Sequence, residues 1–133
     1  MINKRFLFER DEQMTKALEG GCFCGLVRYR FPDKSYPAGN CHCRMCQRLS
    51  GSAYVSWVVI PVTDFQYIEE KPKALQSSQK ATRHFCQECG TPIAYIQKKR
   101  PDERAVTLCS LDDPERYTPT ADLYTDTKLA WLA

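Results

Sequence analysis

Three cysteines, Cys41, Cys43 and Cys46, fall within six residues of the segment "NCHCRMCQRLSG", Asn40 to Gly51. Thiolates this close together suit a metal ion. A structural zinc takes four protein ligands, whereas a catalytic one takes three and keeps a position open. The segment therefore poses a choice between a hidden fourth ligand and an open site. Cys109 is the obvious fourth candidate, but its context, "AVTLCSL", reads as a strand. A lone strand cysteine is expected to be a small buried hydrophobe. His42 lies between two of the cysteines, where sharing their metal would be strained, and it is expected beside the ligands or at the surface, as is His84. A three-cysteine site with an exchangeable fourth position is the expectation.

Two further cysteine groups occur, "GGCFCG" with Cys22 and Cys24, and "FCQECGTP" with Cys86 and Cys89. In the second, two intervening residues let the chain curl so that both sulfurs reach one metal. Backbone N–H groups of the curl can donate to the sulfurs, and Gly90 can take the left-handed conformation that ends it. A redox CxxC would open a helix, but Gly90, Thr91 and Pro92 interrupt the chain at once. The glycines around Cys22 and Cys24 make that pair a suitable partner. Cys22, Cys24, Cys86 and Cys89 are read as one structural zinc site that clamps a long loop, so that binding free energy becomes folding free energy.

These residues must be positioned by strands. In "LVRYRF", Val27, Tyr29 and Phe31 alternate with Leu26, Arg28 and Arg30, the period of a half-buried strand. "AYVSWVVI" (53–60) is nearly all apolar or β-branched, as in a central strand. "DFQYI", "ALQSS", "ATRHF", "IAYI" and "RAVTLCSL" are further strand candidates, with the eight prolines falling between segments. "RMCQRLS", directly after Cys43, is the one predicted helical turn. A mainly β domain over 15–133 is expected, preceded by an N-terminal extension, 1–14, of mixed apolar and charged residues without a period.

The chain has 133 residues, 43% of them hydrophobic and 26% charged, consistent with one globular domain. Its net charge is +3, with 19 basic and 16 acidic residues interspersed. No concentrated basic stripe marks a nucleic-acid partner. No apolar run is long enough to cross a bilayer, and the charged start lacks the apolar centre of a signal peptide. A cytoplasmic protein is expected. The one- and two-residue cysteine gaps favour metal ligation over disulfides.

The segments "GGCFCGLVRY", "CHCRMCQRLSGSAYVSW", "RHFCQECGTPI", "LDDPERYTP" and "DLYTDTKLAWL" together resemble the glutathione-dependent formaldehyde-activating enzyme (Gfa) family, which also includes centromere protein V. The resemblance runs in order from about Thr15 to Leu132. It implies small antiparallel sheets meeting at a zinc site, a β-tent. It implies that Cys22, Cys24, Cys86 and Cys89 hold a structural zinc, and that Cys41, Cys43 and Cys46 hold a second, tied to activity. The activity implied joins formaldehyde and glutathione into S-hydroxymethylglutathione, formally the reverse of a carbon–sulfur lyase. Two positions depart from the family: Asp122 stands where a histidine is frequent, and Cys109 where glycine is more usual.

With two zinc ions per chain, the second site could take a thiol as thiolate and let it add to an aldehyde. Glutathione carries two carboxylates, and Arg44 and Arg48 beside the ligand cysteines are the nearest cations in sequence. They could bind those carboxylates, or only offset thiolate charge. Tyr54 and Trp57 could wall a cleft but read first as core, and Asp112 or Asp113 caps a turn. The competing reading from another class is a non-catalytic zinc β domain that binds a partner through an exposed face.

Overall fold

The alternating "LVRYRF" pattern becomes β2 (Arg28–Pro32), whose neighbour Val27 and inward residues Tyr29 and Phe31 are fully buried. The computed structural model describes residues 16–133, so the predicted N-terminal extension lies outside the described residues. β2 pairs antiparallel with β1 (Ala17–Gly21) and with β5 (Gln66–Tyr67) to form a three-stranded sheet. Its outward arginines meet acids: Arg28 reaches Asp112 at 2.6 Å, and Arg30 reaches Glu19 at 3.1 Å.

The second sheet has seven strands: β3 (Ala38–Cys41), β4 (Val55–Pro61), β6 (Lys73–Ser78), β7 (Ala81–Phe85), β8 (Pro92–Gln97), β9 (Glu103–Thr107) and β10 (Ala121–Leu123). Their order is β10-β3-β4-β9-β8-β7-β6. All neighbours run antiparallel except β10 and β3, which are parallel. Among the described residues one α-helix forms, α1 (Arg44–Ser50), which covers the residues read as a helical turn and ends at Gly51 in the left-handed conformation. The fold is mainly β with little helix.

β4 explains its own composition. Val58 and Ile60 pack into the main core with Tyr29, Phe31, Ile93 and Val106, joining the two sheets. Trp57 faces the opposite way, into a smaller cluster with Cys41 and Cys46. A strand covered on both faces reads as a continuous apolar run rather than an alternating one. β1, β3 and β10 carry no such signal. They are short, glycine-containing or polar, and are held by the strands they pair with rather than by their own propensity.

Two expectations are corrected. Pro32 and Pro61 close β2 and β4, and Pro92 opens β8, so these prolines sit at strand ends, where a missing donor is tolerated, rather than between strands. "RAVTLCSL" is not one strand: β9 stops at Thr107, and Leu108–Ser110 form a 3-10 turn in which Cys109 is exposed. Hydrogen bonds cause the break. The Thr107 hydroxyl donates to the Pro92 carbonyl and the Ser110 hydroxyl to the Thr107 carbonyl, each at 2.8 Å. Leu108 and Leu111 then take the inward positions, which turns Cys109 outward.

Candidate metal centre

The Cys22 and Cys24 segment leaves β1 and curls back, with Cys22 N–H donating to Val27 O and Gly25 at φ +86°. The Cys86 to Gly90 segment joins β7 to β8 by the same device: Cys86 N–H donates to Thr91 O, and Gly90 adopts φ +81°. In both curls a backbone N–H reaches a sulfur, Val27 to Cys22 Sγ at 3.2 Å and Glu88 to Cys86 Sγ at 3.4 Å. Thr91 fastens the two curls together. Its hydroxyl accepts from Phe23 N–H at 3.0 Å and lies 3.2 Å from Cys89 Sγ. This hydroxyl contact is the largest influence holding the Cys89 thiol down at about 5.

All four sulfurs lie within 4.8 Å of one another. The Cys22–Cys24 and Cys24–Cys86 separations are 3.6 and 3.7 Å. Tetrahedral zinc with bonds of ~2.3 Å spaces its sulfurs by about 3.8 Å. Donor type, spacing and N–H support therefore fit a closed four-thiolate metal site, the grouping read from the sequence.

The second group is built by a strand end and a helix start. β3 finishes on Cys41, and Cys43 is the N-cap of α1, its sulfur accepting from Cys46 N–H at 3.3 Å. The three sulfurs also lie within 4.8 Å of one another, and no fourth His, Cys, Asp or Glu joins them among the described residues. Cys109 is not in the group. Hydrogen bonding from Cys41 pulls the Cys46 thiol well down, with Cys43 and Arg83 adding to it, whereas the Cys41 thiol is raised by the same contact.

His42, between Cys41 and Cys43 in sequence, is buried and is not part of the three-sulfur group. Its Nε2–H donates to Asp122 Oδ1 at 2.9 Å, and its ring packs on Tyr54 at 5.0 Å. That contact is the chief reason the Asp122 carboxyl lies below its ordinary value. The position at which the chain departs from the family is thus a structural partner of the cluster, and Tyr54 packs behind it. His84 is half-buried, and its Nδ1 is 2.8 Å from the Tyr67 hydroxyl. Gln47 ties the whole segment down: its amide group donates to the carbonyls of His42, Ala53 and Thr127 at 3.1–3.2 Å. Replacing Gln47 with Leu strands carbonyls that were paired, at a cost of about 1–3 kcal/mol. A lowered melting temperature together with weaker metal retention at the three-cysteine site is the expected outcome, read by thermal denaturation and metal titration.

A cavity of about 240 Å³ opens beside Cys46, walled by α1, β4, β6, β7 and β8. Leu49, Val55, Trp57 and Leu75 give it apolar sides, while Arg83 and His84 give it polarity. Trp57 is therefore both buried and cavity-lining. Arg44 and Arg48 are exposed and neither lines this cavity; Arg44 donates instead to Gln47 Oε1 at 2.8 Å. The cation at the cluster is Arg83, whose Nη atoms lie 3.8 and 3.9 Å from Cys46 Sγ. Sequence spacing could not single it out, because 37 positions separate the two residues.

A family profile described as glutathione-dependent formaldehyde-activating enzyme matches residues 17–127. The chain belongs to this family. A Halomonas elongata relative that bears the same name provisionally is 26% identical over 93 residues, covering 64% of this chain. The chain spans 59% of that relative's length. A Rhodobacter sphaeroides protein of known crystal structure is 20% identical with a TM-score of 0.62, over 78% of this chain and 98% of its own. That likeness shows a fold shared at low identity. No described helix is long and apolar enough to cross a membrane.

Proposed function

We propose that this protein is a cytoplasmic zinc enzyme that makes or breaks the carbon–sulfur bond between a small, glutathione-like thiol and formaldehyde or a related aldehyde. The observation that carries the reading is the three-sulfur cluster whose Cys46 faces an open cavity, with no fourth ligand beside it among the described residues. Cys22, Cys24, Cys86 and Cys89 hold a structural zinc, and Cys41, Cys43 and Cys46 a second. A zinc held by these three thiolates would offer an exchangeable position and lower the pKa of a thiol bound there.

The chain's own residues do the rest. Leu49, Val55, Leu75 and Trp57 give the reacting centre apolar walls, which strengthen the electrostatic contacts beside them. Gln47 and the His42–Asp122 pair hold the ligand segment in place. In the forward direction sulfur donates an electron pair to the carbonyl carbon, and the displaced π pair becomes an alkoxide that takes a proton. The product is a hydroxymethyl thioether, and the reverse restores thiol and aldehyde. The cavity beside Cys46 also favours this reading over a partner-binding module, which needs no cleft beside its metal.

The test is zinc per chain in reduced protein, together with formaldehyde consumption in the presence of glutathione. Two zinc ions are expected in both wild type and Cys109→Ala, with turnover in both. A drop to one zinc in Cys109→Ala would overturn the open site and move the protein to a structural or binding role.

A further inference from the structure

Resting on that reading, we propose that Arg83 is the recognition cation of the cavity, taking the carboxylate of a thiol whose sulfur lies at the Cys41–Cys43–Cys46 cluster. Arg83 is the one residue of permanent charge in the cavity wall. Among the other arginines, Arg28 faces Asp112, Arg116 faces Asp33 at 2.6 Å and Arg100 faces Glu103, while Arg44 and Arg104 donate to uncharged oxygens. Among the described residues Arg83 meets no carboxylate, and its Nε–H is buried without an acceptor. A buried donor left unpaired opposes folding, so its retention calls for a reason.

The guanidinium is also held in place. Arg83 on β7 stands directly opposite Tyr95 on β8, and its guanidinium lies 4.6 Å over the Tyr95 ring and 6.0 Å from Trp57. Stacking fixes the plane of the fork, as a lysine ammonium could not. Contacts of 3.8 and 3.9 Å to one sulfur use little of a group with five N–H donors, which suits bidentate carboxylate binding. An incoming thiolate adds negative charge to a cluster that three cysteine thiolates already leave anionic. A substrate carrying its own carboxylate therefore needs a cation at this distance, and Arg83 is placed to supply it.

The test uses zinc-loaded, reduced full chain in a Trp131→Phe background, leaving Trp57 as the sole tryptophan reporter of two. Binding of 3-mercaptopropionate and glutathione is compared with that of 2-mercaptoethanol and glutathione diethyl ester by Trp57 fluorescence. Arg83→Gln is expected to weaken the two carboxylate thiols by about tenfold to a hundredfold, the range of a hydrogen bond to a charged group. The neutral thiols and the zinc content stay as they were, and Arg83→Lys recovers part of the loss. Equal weakening of charged and neutral thiols, or loss of zinc from Arg83→Gln, would overturn the assignment and leave Arg83 as charge balance for the cluster. If no thiol binds wild type at all, the thiol-handling reading itself fails, a result distinct from either.

Discussion

Cys86→Ser unfolds the domain. Cys86 is fully buried, and its sulfur lies 3.7 Å from Cys24 Sγ across more than sixty residues of chain. Its curl joins β7 to β8 of the large sheet, while the Cys22 and Cys24 curl ends β1 of the small one. A metal shared by the two curls would fasten sheet to sheet. Structural zinc contributes about 10–16 kcal/mol in small zinc-dependent folds, whereas a whole domain is stable by only about 5–15 kcal/mol. The binding energy lost is as large as the whole net stability of a domain. Serine has nearly the shape of cysteine, so steric damage does not enter. Far-ultraviolet circular dichroism and zinc analysis check it. A cooperatively melting Cys86→Ser protein with wild-type stability would sink the structural assignment.

Cys43→Ser has the opposite profile: the protein stays folded and activity disappears. The Cys43 sulfur serves twice, as a member of the three-sulfur cluster and as the N-cap acceptor for Cys46 N–H. Serine is among the preferred N-cap residues, so the helix start survives the exchange to within about 1 kcal/mol. The hydroxyl does not replace a thiolate in holding zinc. Turnover with glutathione and formaldehyde is expected to fall by roughly a thousandfold or more, equivalent to about 4 kcal/mol in the barrier. Zinc falls from two per chain to one, with the melting temperature nearly unchanged. Melting at a temperature as low as Cys86→Ser would show that both clusters serve the fold, and the division between them would be lost.

The contrast between these two substitutions was legible before any coordinates, because ligand spacing is a local property. One residue between Cys22 and Cys24 and two between Cys86 and Cys89 set what each curl can grip, and the glycines that end both curls do adopt positive φ. The alternation of Val27, Tyr29 and Phe31 was equally local and placed all three in the core. The continuous apolar run of β4 was readable as doubly covered, although not what covered its second face.

Sequence by itself thus determined the three cysteine groups, the mainly β class, the helical turn after Cys43 and family membership, since each depends on residues within a few positions of one another. Tertiary structure alone decided that Cys109 faces outward, that His42 pairs with Asp122, and that Arg83, rather than Arg44 or Arg48, stands at the cluster. The first depends on the turn that ends β9, and the other two on sheet register. β7, β8, β9 and β4 must pair in order before Arg83 can reach Cys46, and β10 must lie parallel to β3 before Asp122 reaches His42. Such contacts are set by how distant strands share one core, which neighbouring residues along the chain do not encode.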